Sequence, residues 1–119
     1  MKRILIVDDS TAIRNIIKTT LFGDYDVHEA ENGEAAFDFA SSANIDLFLL
    51  DVNMPKMDGI TLVKKLRATT KYSKTPIIML TTESRDDKKQ AGRDAGANGW
   101  IVKPCDPDKL LAVLKKLLS

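Results

Sequence analysis

Short runs of large apolar residues recur along the chain, and a polar or charged residue ends each of them. The runs cover residues 4–7, 47–50, 77–80 and 100–102. Apolar runs this short, bounded by turn residues, are typical of strands buried on both faces of a parallel sheet. Residues 25–30 instead largely alternate between apolar and polar side chains, which favours an exposed edge strand.

The segments between these runs carry apolar residues at helical spacing. We expect helices to begin near Ser10 or Thr11, near Asn32, at about Gly59, near Ser84 and at Asp106. The expected inward-facing residues are Ile13, Ile16, Ile17 and Leu21, then Ala36, Phe37 and Ala40, then Ile60, Val63 and Leu66, and finally Leu110, Leu111, Val113, Leu114, Leu117 and Leu118. The fourth helix, residues 85–97, has alanine as its only apolar residue type and contains Gly92, so we expect it to be weakly held.

Five strands alternating with five helices predict an α/β fold, a doubly wound parallel sheet with right-handed crossovers. The 119 residues suffice for one domain, residues 1–119, with a core that needs no disulfide. We expect this chain to be a complete protein, because it starts at Met1 and ends just past the last helix.

Composition excludes several classes of function. A net charge of +1 argues against nucleic-acid binding driven by charge, and Cys105 as the only cysteine rules out an internal disulfide or a cysteine-based metal site. The chain begins its first strand within three residues of Met1 and has no long apolar run. We therefore expect a cytoplasmic protein without a membrane partner.

The residues that end the four apolar runs point to a site. Parallel strands place their carboxyl ends at one edge of the sheet, so Asp8 and Asp9, Asp51, Thr81 and Lys103 should converge there. Any one of them could be an ordinary turn or capping residue, but chance does not favour this combination. Three carboxylates call for a cation, and an all-oxygen donor set favours Mg²⁺.

Such a site is equipped to steady a phosphoryl group during in-line transfer, because the metal, the ammonium and the hydroxyl all face its oxygens. From the residues alone, Asp51 is either a metal ligand only or the nucleophile that accepts the phosphoryl group. Both interpretations stay open at this point.

Four motifs carry a resemblance that covers essentially the whole chain: IVDD, LLDVNMPKMDG, PIIMLTTES and GWIVKP. With them the chain resembles the receiver domain of bacterial two-component response regulators, most closely the single-domain chemotaxis type, CheY. The resemblance implies a flavodoxin-like, CheY-like fold with strand order 2-1-3-4-5. It also implies a phosphorylation-dependent signalling switch that is not an enzyme beyond accepting and losing its own phosphoryl group.

The resemblance assigns roles around the metal. Asp51 corresponds to the phosphate acceptor, which also contacts Mg²⁺. Asp9 corresponds to a direct Mg²⁺ ligand, and Asp8 to one that acts largely through water. Asn53 would contribute its backbone carbonyl.

The resemblance also assigns residues to the response. Thr81 corresponds to the switch hydroxyl and Lys103 to the ion-pair partner of the phosphoryl group. Trp100 stands at the aromatic switch position, where the family more often has tyrosine or phenylalanine. Asn53 and Glu83 border the path of the hydrolytic water, and because both are polar we expect a phosphorylated lifetime of minutes or less.

The implied partner is a histidine kinase of the CheA type, and the implied output surface is helix 4, strand 5 and helix 5 of a monomer. The chain could be a messenger to a flagellar motor switch protein, with or without a phosphatase partner, or a phosphate sink or relay. A Mg²⁺-dependent aspartyl-phosphate phosphatase is disfavoured because the position of its second aspartate holds Asn53. A flavodoxin-like electron carrier is disfavoured by the acidic pair after the first strand.

Overall fold

The computed structural model describes residues 1–52, 54, 57–81, 86–103 and 106–118, without the side chains of residues 86–89. Strands and helices alternate along these residues, and one short 3₁₀ helix is inserted among them. In order they are β1 Arg3–Val7, α1 Thr11–Leu21, β2 Asp26–Ala30, α2 Gly33–Ser42, β3 Leu47–Asp51, α3 Gly59–Ala68, the 3₁₀ helix Thr70–Tyr72, β4 Ile77–Thr81, α4 Asp86–Ala95, β5 Gly99–Val102 and α5 Pro107–Leu118.

The strands form one parallel sheet in the order β2-β1-β3-β4-β5. This confirms the predicted fold class and strand order, including β2 at an edge. Side chains alternate across the sheet, so Leu5 and Val7 of β1 enter one core cluster while Ile4 and Ile6 enter the other. Both faces are covered by helices, which is why the β1 and β3 runs are apolar without a break.

Each face of the sheet has its own helices. One core cluster includes buried residues of α1 and α5, and the other includes buried residues of α2, α3 and α4. The buried helical residues of the first are Ile17, Leu21, Leu110 and Leu114, and those of the second are Ala36, Ala40, Leu62, Val63, Leu66 and Ala95. The doubly wound arrangement places the carboxyl ends of β1, β3, β4 and β5 along one edge.

Side-chain caps define where the helices begin. Ser10, rather than Thr11, caps α1 by accepting a hydrogen bond from the Ile13 amide, at 3.3 Å. Asn32 caps α2 and Asp106 accepts from amides at the start of α5, as predicted. Asp58 caps α3, a role the sequence analysis did not assign. The expected cap at Ser84 lies outside the described residues.

One expected core position is wrong. Ile16 was expected to face inward but is 48% exposed, because only the stripe of α1 through Ile17 and Leu21 meets the sheet and α5. On α3, Ile60 is half-buried and packs against the core as expected, while Leu62, which was not predicted to face inward, is fully buried. Helical spacing alone leaves the centre of the apolar stripe uncertain by about one residue, and the packing partner decides it.

The C-terminal end of α4 is held by Arg67 of α3. Its guanidinium donates to the Gly96 carbonyl at 3.0 Å and to the Asn98 side-chain oxygen at 2.8 Å. It also donates to the carbonyls of Tyr72 and Thr75, at 2.9 and 2.6 Å. Burial lowers the pKa of Arg67. This one side chain therefore joins α3, the 3₁₀ helix, the start of β4 and the end of α4.

The helices are short. Within the part of the chain that the structure describes, none has both the length and the apolar character needed to cross a bilayer.

Candidate functional site

The polar residues predicted to converge do lie at one edge of the sheet. Asp8 follows β1, Asp51 ends β3, Thr81 ends β4 and Lys103 follows β5. The register explains this, because the ends of neighbouring strands are paired: Val7 with Leu50, Asp51 with Leu80, and Thr81 with Val102. The parallel register thus brings together residues that are up to about a hundred positions apart in sequence.

Three of these side chains are removed from water. Asp8 is fully buried, and Asp51 and Thr81 are 4% and 1% exposed. Two carboxylates are rarely buried together without a compensating cation, because desolvation and mutual repulsion both disfavour their charged forms. The site must therefore contain positive charge.

Lys103 supplies that charge. Its Nζ lies 2.7 Å from Asp8 Oδ2 and 3.1 Å from Asp51 Oδ1. Burial lowers the pKa of Lys103, but the hydrogen bond to Asp8 and the charge and hydrogen bond of Asp51 outweigh it, so the pKa lies above its ordinary value. The ammonium thus bridges the ends of β1 and β3 from beyond β5.

Backbone contacts fix the two partners in place. Asp8 Oδ1 accepts a hydrogen bond from the Ser10 amide at 2.9 Å, at the start of α1. The Lys103 amide donates to the Thr81 carbonyl at 2.7 Å, so the lysine is tied to the end of β4. Arg14 of α1 donates to the Asp8 carbonyl at 2.5 Å. The Asp8 carboxylate and the Lys103 ammonium are therefore positioned by contacts with the ends of β1, α1, β4 and β5 as well as by each other.

The carboxylates also have the geometry of a cation site. Asp8, Asp9 and Asp51 can each present one oxygen such that all three oxygens lie within 4.8 Å of one another. Asp9 is exposed while the other two are buried. Three carboxylate oxygens with one side open suit a hard divalent ion that keeps some water ligands. The acidic cluster can therefore hold a metal ion, as the sequence analysis expected.

The remaining predicted residues are not all in this cluster. Trp100 lies on the edge strand β5, opposite Met79, where it packs against α4 and the core. Asn53 and Glu83, predicted to modulate hydrolysis and, for Asn53, to bind the metal, lie outside the described residues. Their roles stay predictions.

Gly59 is a site residue that the sequence analysis treated only as a helix start. A Cβ atom at this position would lie 2.2 Å from the Asp51 carbonyl oxygen. The Gly59 amide donates to the Val52 carbonyl at 3.1 Å, which closes the turn between β3 and α3. A glycine at the first helical position just after a candidate site was the available signal, since glycine marks close backbone approach.

The fold and the site agree with the comparisons with known proteins. The model of the response regulator receiver domain matches residues 4–115, and the chain belongs to this family. It is a CheY-like receiver of two-component signalling, a class that implies a histidine kinase and downstream targets as interaction partners.

Particular relatives sharpen this assignment. The chain is 44% identical over 120 residues to a chemotaxis protein CheY homolog of Campylobacter jejuni, covering 98% of this chain and 92% of that protein. The structure of chemotaxis response regulator CheY4 of Vibrio cholerae is similar, with a TM-score of 0.93, 44% identity and 98% of both chains covered. The receiver domain of sensor histidine kinase PA1611 from Pseudomonas aeruginosa PAO1, solved with a magnesium ion in its active-site cleft, has a TM-score of 0.91, 27% identity and 99% and 98% coverage.

Proposed function

We propose that this protein is a phosphorylation-dependent switch in which Asp51 accepts a phosphoryl group from a histidine kinase of the CheA type. The observation that carries the proposal is the position of Lys103, whose Nζ contacts both Asp51 and the fully buried Asp8. An ion pair needed only for stability would not require a third carboxylate, Asp9, at the same edge. This set is suited to receiving a phosphoryl group.

The transfer itself follows from the chemistry of the groups. A carboxylate oxygen of Asp51 attacks phosphorus in line, and a new P–O bond forms as the P–N bond to the kinase imidazole breaks. The imidazole leaves with the electron pair of that bond and takes a proton from solvent. Asp51 then carries an acyl phosphate, which adds charge and three acceptor oxygens at the sheet edge.

Asp8, Asp9 and Asp51 would hold Mg²⁺, together with the backbone carbonyl of Asn53. When bound, the ion would supply positive charge beside the oxygens of the transferring group. The three-oxygen geometry supports this, and so does the magnesium ion in the related PA1611 receiver domain. Lys103 holds an oxygen of Asp51 in place in this structure and would pair with the phosphoryl group afterwards.

Thr81 is proposed to turn its hydroxyl toward the phosphoryl group. This movement would change the preferred conformations of Trp100 and α4. The surface formed by α4, β5 and α5 would then report the phosphorylated state to a partner. Similarity to a chemotaxis CheY homolog over most of that protein's length supports a messenger in chemotaxis, with a flagellar motor switch protein as target and a phosphatase as a further partner. A phosphate sink or relay is the alternative within the same family.

Further predictions belong to this proposal. The protein is one receiver domain over residues 1–119, is monomeric and cytoplasmic, and does not turn over external substrates. The lifetime of the phosphorylated protein is minutes or less and is set in part by Asn53 and Glu83.

Phosphoryl acceptance can be tested by intact-protein mass spectrometry. With Mg²⁺ and acetyl phosphate, the wild-type chain should gain the mass of one phosphoryl group, and EDTA should prevent this. Asp51→Asn should abolish labelling, whereas Asp38→Asn, at an exposed position of α2, should not. Labelling that persists in Asp51→Asn would contradict the proposal. Steady release of phosphate from a generic phosphomonoester would favour a phosphatase instead.

The output can be tested by a pull-down with Mg²⁺ and beryllofluoride, which mimics a phosphoryl group on a carboxylate. Capture of a motor-switch protein only with the mimic, and not by Asp51→Asn, would decide for the messenger. Equal capture with and without the mimic would argue against state-dependent output.

A further inference from the structure

Trp100 packs directly on a glycine of α4. A Cβ atom built on Gly92 would lie 2.6 Å from Cζ2 of the indole and 3.3 Å from Cη2. The first distance is shorter than the non-bonded contacts that Cβ atoms make in proteins, so only glycine leaves room for the indole in this position. The next residue, Arg93, places its guanidinium carbon 5.6 Å from the centre of the ring. The indole therefore lies against the backbone of α4 and beneath an arginine of the same helix.

The glycine is costly for the helix that carries it. Relative to alanine, glycine inside a helix disfavours folding by about twofold to fivefold in the equilibrium constant. Helix α4 has little apolar area to offset this, since its buried described side chains are limited to Ala95. The three atoms nearest to the position of a Cβ on Gly92 all belong to Trp100, so the contact with the indole accounts for the glycine in this helix.

The indole is held by shape rather than by a directional bond. Trp100 Nε1 is buried and has no hydrogen-bond partner among the residues that the structure describes. Indole nitrogens usually find a partner when they are buried. Because no hydrogen bond within the described residues fixes the ring, its orientation depends on packing, and the contact with Gly92 is the tightest part of that packing for which a distance is given.

We propose that Gly92 is a positioning residue of the switch: it sets the orientation of Trp100 and couples the indole to α4. The proposal rests on the proposed function for its signalling meaning, because the switch role of Trp100 is part of that function. The contact itself is independent of it. A change at the indole reaches the helix through this contact, since the two surfaces touch without an intervening side chain.

The contact can be tested by fluorescence, because Trp100 is the only tryptophan of the chain. Without Mg²⁺ or beryllofluoride, Gly92→Ala should displace the indole toward solvent, with a red-shifted emission maximum and stronger acrylamide quenching. Asp94→Ala is the matched control, because it replaces another poor helix former at an exposed position of the same helix. Identical spectra for wild type and Gly92→Ala would overturn the proposal.

A double-mutant cycle in urea separates this contact from a general effect on the helix. Trp100→Leu removes the ring atoms that a methyl group at position 92 would meet. In the Trp100→Leu background, Gly92→Ala should raise the folding equilibrium constant by about twofold to fivefold, as alanine does in a helix without clashes. In the wild-type background it should lower that constant. The same sign and size in both backgrounds would overturn the proposal.

A third measurement adds Mg²⁺ and beryllofluoride. The emission of wild type should shift, and Gly92→Ala should lose most of that shift. An equal shift in both proteins would overturn the coupling role of Gly92 while leaving the proposed function intact. If wild type does not respond but the indole of Gly92→Ala is displaced without the mimic, the positioning role is supported and the switch role of Trp100 fails.

Discussion

Replacing Lys103 by methionine tests whether one ammonium holds the buried carboxylates together. Methionine keeps much of the length of the side chain and removes its charge. The side chain of Lys103 is 10% exposed, and those of its partners Asp8 and Asp51 are 0% and 6% exposed. Removing one partner of a buried ion pair typically costs about 3–5 kcal/mol, because the other charge is left uncompensated. We expect Lys103→Met to lose about 3 kcal/mol of unfolding free energy in EDTA.

The same change should strengthen metal binding. Lys103 contacts oxygens of two carboxylates that are proposed to bind Mg²⁺, so its charge opposes the ion. At about 5 Å and an effective dielectric constant of about 20, an ammonium group and a divalent cation repel by about 7 kcal/mol. Movement of the lysine reduces this, and we expect the Kd for Mg²⁺ to fall by about tenfold, or ~1.4 kcal/mol. Saturating Mg²⁺ should therefore recover part of the lost stability.

The assay is urea denaturation of wild type and Lys103→Met, each in EDTA and in saturating Mg²⁺, with Mg²⁺ binding measured by calorimetry. Lys64→Met, at an exposed position of α3, is the control and should change neither quantity. Because the pKa of Lys103 is raised in the folded protein, the contribution of Lys103 to stability is present below the pKa of lysine in the unfolded chain. That contribution is lost as pH rises through the pKa of Lys103 in the folded protein. A stability difference that is absent in EDTA, or unchanged by Mg²⁺, would contradict this role of Lys103.

Three further predictions concern other parts of the structure. Gly59→Ala should lower the free energy of unfolding in urea by more than about 2 kcal/mol and reduce phosphoryl labelling, because its Cβ would lie 2.2 Å from the Asp51 carbonyl oxygen. Unchanged labelling and stability would show that the turn can relax. Arg67→Met should cost about 2–3 kcal/mol and speed amide hydrogen exchange at the end of α4, because four acceptors lose the hydrogen bonds that Arg67 donates. Exchange that stays as slow as in wild type would contradict this. Glu29→Gln should cost about 0.5 kcal/mol at neutral pH, because this carboxylate is partly exposed. Hydrogen bonds from Lys18, and to a lesser extent from Arg14, lower the pKa of Glu29 in the folded protein. The contribution of Glu29 to stability is therefore present above its unfolded pKa and is lost as pH falls through its folded pKa. An acid denaturation curve of Glu29→Gln with the same slope as that of wild type would argue against the pairing.

Much of the fold and the candidate site was predictable from local pattern. Unbroken apolar runs indicate strands buried on both faces, and parallel strands place their ends at one edge. These two rules were enough to bring Asp8, Asp51 and Lys103 together before any coordinates. The strand order was taken from the family resemblance, because periodicity does not determine which strands are neighbours. Asn53 and Glu83 lie outside the described residues, so their roles stay predictions.

The set of elements and the chemistry at the strand ends therefore follow from the chain alone, because both depend on spacing along the chain and on residue type. The contacts between elements, in contrast, are defined by three-dimensional packing. Four features depend on contacts over a few ångströms between separate elements. They are the exposure of Ile16, the position of Lys103 between two carboxylates, the approach of Gly59 to Asp51 and the packing of Trp100 on Gly92. Such distances are set by the packing of whole helices on the sheet.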